Sequence, residues 1–552
     1  MEIHRIVAEP VPATARQHMV RMRDGVRLAT DVYPAANADG PLPAVLVRLP
    51  YDKNSRYVFM DRVAERFTAR GYVLVVQDVR GKFRSEGETL AWTGEVNDGY
   101  DTIEWIVNQD WSNGVVGMFG DSYYGFTQWS AVASEHPALR AIVPRVTATS
   151  IAPGRESMGD PSIRRVPWLE SAGYLASFWT DNDGYEFETD LSDRPLAAMF
   201  EEVFEAIGAR SKAFDLMVPH GIELDAYNAR HPYDARPVPV LHCVGWFDNL
   251  CAAHMWDYAQ LSLRPGWDAV QYLHADASDH ENTLLEDAPL SADADFAVDD
   301  AALERMLDGY TGPALDFFDV FLKGVAGVRT LPRVRWKLGH VGWRTAEQWP
   351  PAGARSSELH LADLDSATGA APGGRLADQA LSSAHSVQWR YDPDDLVPSA
   401  VLNTFDFLRT YPDERATADR EDVLVFTGGP DEQAVDLAGP VQLRLDVSST
   451  APTFDVFAKL FDVAPDGSAH MIVRGEAQGG AQGEAAGVLR LDLGHVGYRL
   501  RPGHRFALTV TSSDFPLYVP NSGSAENPWL TRAPKPSTQT LRSGVLSITV
   551  LP

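Results

Sequence analysis

Two uninterrupted apolar runs, Pro43–Leu49 (PAVLVRL) and Tyr72–Val79 (YVLVVQDV), constrain this chain more than any other feature. A strand apolar on both faces is covered by helices on both sides, as in a parallel sheet, whereas a half-solvated strand alternates. Helical spacing fits the intervening segment. Asp61–Arg70 is helical in character, and Gly99–Gln109 places Tyr100, Ile103, Ile106 and Val107 on one face. Val115–Phe119 and Ala141–Val146 read as further strands, separated by a helix through Gln128–Ser134. This alternation predicts an α/β layer fold at the start of the chain.

The pattern then changes twice. Between Thr147 and Arg236 the apolar runs stop, and Trp168, Tyr174, Phe178, Trp179, Phe200 and Phe204 fall among helical spacings such as Ala197–Ile207. A helical insertion is expected there. The strand–helix rhythm returns with Val238–Val244 and Ala269–His274, followed by two amphipathic helices, Ala301–Leu307 and Leu315–Lys323. Beyond Arg335 short alternating strands dominate, among them Val441–Val447, Asp455–Phe461, Leu489–Leu493 and Arg505–Ser512. Many strands without helices predict a β-sandwich or jelly roll. Ser366–Ala377 and Gln478–Gly487, rich in Ala and Gly, are expected to be exposed loops. The divisions predicted are an α/β domain in two parts, 1–147 and 236–335, a helical cap at 148–235 and a β-domain at 336–552.

Charge removes some function classes. Lys plus Arg number 48 against 76 Asp plus Glu, a net charge of −28. Nucleic acid and anionic membranes need a basic footprint, so neither is expected as a partner. Cys243 and Cys251 are too few for a disulfide framework or a cysteine zinc site, and reduced core thiols are expected. No run approaches the roughly 20 apolar residues of a membrane span. The segment Met1–Arg5 lacks the basic-then-apolar pattern of a secretory signal, so a cytoplasmic location is expected.

The chemistry concentrates at Gly117-Met118-Phe119-Gly120-Asp121-Ser122-Tyr123-Tyr124-Gly125. A serine in a tight strand-to-helix turn projects its hydroxyl above the sheet, beside the unpaired N–H groups of a helix start. The second glycine stands three residues after Ser122 rather than two, so the strict G-x-S-x-G pattern is missed. The other role open to such a serine is a helix N-cap. A serine hydroxyl also needs a base, and the base an orienting carboxylate. Asp248 follows the strand Val238–Val244, and His280 follows Ala269–His274, in the order Ser, Asp, His. His274 is the rival base, although its place within an apolar strand suits a core histidine.

These segments resemble the cocaine esterase and X-prolyl dipeptidyl-peptidase group of hydrolases, the CocE/NonD family. Met22–Val26, Arg48-Leu49-Pro50-Tyr51-Asp52-Lys53, Gln77–Gly81 with Ser85–Gly87, Gly120-x-Ser122-Tyr123-x-Gly125 and Trp246-Phe247-Asp248 carry the likeness. Tyr391–Pro398 and Ser512–Pro516 extend it into the C-terminal part. The resemblance implies an α/β-hydrolase domain, an inserted helical cap and a C-terminal jelly roll. It assigns Ser122 as nucleophile, His280 as base and Asp248 as its partner, and gives the oxyanion hole to the Tyr51 hydroxyl and the Tyr123 backbone N–H. Three departures stand out. Asp276-Ala277-Ser278-Asp279 replaces the family's Gly-Pro-Trp before the base. Ser399-Ala400-Val401 replaces paired glycines after Pro398. Asp121 precedes the nucleophile where a small or apolar residue is usual.

The expected reaction is cleavage of carboxylic esters through an acyl-serine, with no metal and no organic cofactor. Amide or peptide hydrolysis and acyl transfer to a non-water acceptor are the alternatives, and a binding module on a disabled hydrolase scaffold is a further one. A small-molecule ester or amide is the expected partner, with a homo-oligomer left open. Trp168, Trp179 and Phe247 are candidates for an apolar acyl pocket. Asp121, Asp276 and Asp279 are the acids that could hold a substrate ammonium group.

Overall fold

The computed structural model describes residues 2–552 except 36–38, 152–158, 192–193, 223, 326–330, 370–372, 381–384 and 481–485. The apolar runs form the centre of a ten-stranded sheet. Its strands are β1 (Arg16–Arg21), β2 (Arg27–Tyr33), β3 (Leu42–Leu49), β4 (Val73–Asp78), β5 (Ser112–Asp121), β6 (Leu139–Arg145), β7 (Val240–Gly245), β8 (Gln271–Asp276), β9 (Val334–Leu338) and β10 (Gly342–Ala346). They lie in the order β1-β2-β4-β3-β5-β6-β7-β8-β9-β10. From β4 through β9 neighbours are parallel, and antiparallel pairs close both edges. Helices α1 (Met60–Ala69), α2 (Glu95–Val107) and α3 (Ser122–Ala133) cover the sheet, which accounts for the all-buried strands.

Between β6 and β7 the chain makes helices α4 (Leu169–Phe178), α5 (Leu196–Ile207) and α6 (Lys212–Met217). A short strand in this insertion, Gly184–Phe187, pairs antiparallel with Ile3–Ile6. No periodicity in either four-residue segment announced that pairing.

Helix α7 (Cys251–Ser262) follows β7, and α8 (Asp300–Phe321) follows β8. Two helices were expected where α8 runs unbroken across Gly309, Gly312 and Pro313. A proline costs the helix one backbone bond, here to the Gly309 carbonyl, and such a residue reads as a break. The buried residues Leu303, Leu307, Tyr310, Ala314, Phe317 and Phe318 form one continuous apolar face across it, and burying that face outweighs the lost bond.

The C-terminal region is a second sheet of ten strands, antiparallel except where Gly374–Ala377 meets Leu424–Thr427. The two strands at the ends of its order, Ala469–Gly479 and Ala486–Leu500, lie against each other at Gly475, so the sheet curls on itself. Strands are longer than the short ones expected. Val435–Ser449 and Ala486–Leu500 each span 15 residues, with a bulge at Pro440–Gln442. Gln478 and Gly479 end a strand rather than start a loop, and Gly374–Ala377 is a strand. The rest of those two expected loops lies partly outside the described residues. The motif segments Tyr391–Pro398 and Ser512–Pro516 meet: Val397 N donates to Ser513 Oγ (2.9 Å) and Ser399 Oγ to Asp514 Oδ1 (2.7 Å).

The two sheets share a core. Val244, Trp246, Leu273 and Trp336 belong to the same apolar cluster as Leu437, Leu443 and Leu460. Trp246 stacks on Trp349 at 4.9 Å and donates its indole N–H to the Lys337 carbonyl. Cys243 and Cys251 are buried and unpaired. Among the described residues no helix is long and apolar enough to cross a membrane, and no group of three or more His, Cys, Asp or Glu is placed to hold a metal ion.

Continuity of α8 makes a stability prediction. A Cβ on Gly309 meets open space, so Gly309→Ala should stabilise the protein by about 0.5–1 kcal/mol in a continuous helix. A raised thermal midpoint checks this, and a lowered one would restore the broken helix.

Candidate active site

Strand β5 ends at Asp121, and Ser122 opens α3 with φ at +50°, a left-handed conformation that costs a non-glycine residue energy. The neighbours enforce it. Gly120 has φ +141°, and a Cβ there would stand 2.0 Å from the Tyr124 ring. A Cβ on Gly125 would stand 2.5 Å from Thr147 Cγ2, and Thr147 Oγ1 donates to the Ser122 carbonyl at 2.7 Å. The displaced second glycine therefore has a physical cause. Tyr124 occupies the usual glycine position and lays its ring over Gly120, and the close approach, to Thr147 just beyond β6, moves to Gly125. Gln128 ties the turn down, its Nε2 donating to the Gly120, Tyr124 and Val143 carbonyls at 3.1, 3.0 and 3.2 Å.

Behind the turn lies a buried polar array. Arg48, fully buried, donates from Nε to Gln77 Oε1 (2.8 Å) and from Nη1 to Glu95 Oε2 (2.7 Å). The Tyr123 hydroxyl donates to Glu95 Oε1 (3.0 Å) and accepts from Trp92 N (2.9 Å). Tyr123 thus points its side chain into the core. Its backbone N–H, at the second position of α3, has no carbonyl one turn earlier in the helix to bond.

Tyr51 follows β3 and is held edge-on by Tyr57, Tyr124 and Phe178, with centroids 5.7, 6.2 and 5.2 Å away. Burial pushes its phenol up to about 12, beside the side chains of Tyr174 and Ser122, so it stays a donor at neutral pH.

Asp248 and His280 come from adjacent loops in backbone register: Trp246 N donates to the Asp276 carbonyl and Phe247 N to the Ser278 carbonyl, both at 2.9 Å. Asp248 Oδ1 lies 2.8 Å from His280 Nδ1 and also accepts from Leu250 N (3.1 Å). Both residues are buried, and Phe405 packs edge-on against His280 at 4.7 Å. Burial alone would lower the His280 pKa; Asp248, then Glu281 and Asp121, raise it above the usual histidine value. His274 lies within β8, its ring 4.7 Å from Trp343 and its pKa held well below normal by burial and nearby Arg335, Arg145 and Lys337. It sits apart from the cavity that Ser122 and His280 share.

That cavity is about 970 Å³ and is lined by Tyr51, Ser122, Tyr123, Asp248 and His280 together. Trp168 and Phe247 also line it, whereas Trp179 and Asp121 do not. Trp179 is buried behind the wall, stacked near Trp92 and Tyr123. Asp121 is buried in an ion pair with Arg145 (2.9 Å), and Asn282 donates to it and accepts from Arg145. Through these contacts it joins the serine turn to the loop that carries His280. Asp276 faces Lys337 at 3.4 Å, and Asp279 accepts from Thr283 N and Leu408 N. Asp279 thereby pins the altered loop before His280 to the C-terminal region. Sequence reasoning did not find Tyr57, Tyr174, Glu281 or Arg474, which complete the walls. The one available signal was the run of polar residues Arg474, Glu476 and Gln478 along one face of an otherwise apolar strand.

The strand order and the serine turn are those of an α/β-hydrolase. Residues 24–282 match the model of the X-Pro dipeptidyl-peptidase S15 family, and 326–544 match the X-Pro dipeptidyl-peptidase C-terminal non-catalytic domain. The cocaine esterase of Rhodococcus sp. (strain MB1 Bresler) is 30% identical over 560 residues, covering 93% of each chain. The chain belongs to this S15, CocE/NonD family and is a serine hydrolase. An α-amino acid ester hydrolase structure superposes with a TM-score of 0.80 at 23% identity, over 98% of both chains. An aminopeptidase from a marine sediment Thaumarchaeota archaeon gives 0.78 at 24%, over 99% of this chain and 98% of that one. At such identities these two likenesses speak for the fold.

The corrected role of Asp121 is testable. Asp121→Ala leaves Arg145 buried without its carboxylate and should cost about 3–5 kcal/mol of stability. A lower melting midpoint is expected; a fully stable variant with only altered substrate preference would return Asp121 to the pocket.

Proposed function

We propose that the protein hydrolyses carboxylic esters through an acyl-Ser122 intermediate. The observation that carries this reading is the 2.8 Å Asp248–His280 contact in the cavity that Ser122 enters from a strained turn. Asp248 holds the imidazole with Nδ1 protonated, leaving Nε2 to take the Ser122 proton as Oγ attacks the carbonyl carbon. The Tyr51 hydroxyl and the Tyr123 N–H donate to the oxyanion of the tetrahedral intermediate. Its collapse breaks the bond to the alcohol, which receives the proton from His280. Water then repeats the sequence, and acid and free Ser122 result.

An ester is favoured over a peptide because the three acids considered for an ammonium group are already engaged. Glu281 is the carboxylate beside His280 that still faces the cavity, accepting from the Tyr57 hydroxyl at 3.1 Å. An α-ammonium group on the acyl portion would meet it there. Amino-acid esters and aminoacyl anilides therefore belong beside simple esters in the assay.

A fluorophosphonate should label Ser122 stoichiometrically in the wild type and fail to label His280→Ala; labelling that survives this change would hand the base to another residue. Tyr51→Phe should lower kcat by about 100- to 1,000-fold if its hydroxyl holds the oxyanion. Near-normal turnover would remove it from the hole. The base must be neutral to act, so kcat/KM should fall as pH drops through a midpoint above 6.5, since the folded protein raises the His280 pKa. Asp248→Asn should move that midpoint down along with the rate. A wild-type profile flat to pH 5 would exclude His280.

A further inference from the structure

We propose that Arg474 is a substrate-recognition residue of the active-site cavity, and that preferred substrates carry a carboxylate on the part remote from the scissile carbonyl. This rests on the acyl-Ser122 reading.

The strand Ala469–Gly479 lines the cavity with Met471, Ile472 and Val473 and, at two-residue intervals beyond them, with Arg474, Glu476 and Gln478. Glu476 is engaged, by Arg165 at 3.4 Å and the Tyr518 hydroxyl at 3.1 Å. Gln478 donates to Asp455 at 2.9 Å. Arg474 differs. Among the described residues nothing forms a hydrogen bond or ion pair with its guanidinium, although it lies in the wall and is largely covered.

The carboxylates around it are committed elsewhere. Glu170 accepts from Thr404 N (2.6 Å) and Thr404 Oγ1 (2.5 Å), and Asp514 accepts from Lys459 (3.2 Å) and Ser399 (2.7 Å). Burial works against the charge of Arg474, and nearby Tyr518, Asp514, Glu170 and Glu476 more than offset this without occupying its donors. A planar fork of N–H donors with no acceptor matches a carboxylate, which it can bind bidentately. Arg164, whose buried Nε has no partner among the described residues, lines the same cavity and adds a second cation. Its carbonyl accepts from Gln478 N at 2.8 Å, which fixes its backbone beside this strand.

The test measures kcat/KM of the full chain on ethyl half-esters of dicarboxylic acids of increasing length, each against its ω-carboxamide. A second series uses acetyl esters of ω-hydroxy acids and of the matching hydroxy amides. Wild type should favour the carboxylate by about tenfold or more at the matching length in one series. Arg474→Met should bring that ratio near one, and Arg474→Lys, which keeps the charge and loses the fork, should retain part of it. Turnover of the amides with no carboxylate preference at any length overturns the proposal, as does a preference that survives Arg474→Met. Because the wild-type ratios and the lysine variant decide, an unfolded methionine variant does not rescue it. Absence of turnover together with absence of fluorophosphonate labelling at Ser122 would instead overturn the acyl-serine reading.

Discussion

Everything at this site depends on one unfavourable backbone conformation. Ser122 at φ +50° persists because its surroundings leave no alternative: the Tyr124 ring fills the space over Gly120, Thr147 fills the space against Gly125, and Gln128 bonds three carbonyls of the turn and β6. Strain of this kind, of order 1–3 kcal/mol, survives only where packing over-determines it. The array below extends the constraint. Arg48, Glu95 and Tyr123 anchor the start of α3 to β3 and α2, so Tyr123, which follows Ser122 and lines the cavity, is held by its own side chain from behind. The family-like segments around Arg48 and Gln77 are thus mainly structural. Gln77 joins Arg48, Thr30 and Thr102, and Asp78 pairs with the buried Lys53 at 2.6 Å.

A second constraint sets the position of His280. The loops bearing Asp248 and His280 bond each other through the Trp246 and Phe247 amides, and Asp279 ties the His280 loop to Leu408 of the C-terminal region. Arg145 and Asn282 bind this loop back to Asp121, one residue before the serine. The acidic segment Asp276–Asp279 is therefore an anchor rather than an eroded site. Two carboxylates and a serine carbonyl supply attachments that an apolar segment at the same place would have to replace by packing.

Much of this was legible in the chain. Continuous apolar strands, a serine between a strand and a helix, and an aspartate and a histidine after later strands are local signals, and each rests on a short stretch of backbone. What escaped reading was decided by distant partners. Pro313 looks like a helix end until α8 is seen to bury one face along its whole length. Asp121 looks like a pocket acid until Arg145 arrives from the next strand. Trp168 and Trp179 are equivalent as letters, yet Trp168 pairs with Tyr518 at the cavity while Trp179 is sealed behind Tyr123. Arg474 lies 352 residues beyond Ser122, and no spacing rule connects them.

That separation has a consequence for how specificity is stored. The residues proposed for bond making hang from the parallel sheet and its buried polar array, where a change of side chain strands a charge or fills a space already occupied. Part of the cavity wall comes from α4 and from the strand Ala469–Gly479, which also contributes to the β-domain core. Along that strand Arg474, Glu476 and Gln478 put polar groups into the cavity wall, while Met471, Ile472 and Val473 belong both to the wall and to the β-domain's apolar cluster. Substitution on the cavity side can alter charge and shape without passing through the turn at Ser122. The curled β-domain is then more than a support, because it contributes polar side chains to the wall of the cavity that Ser122 shares.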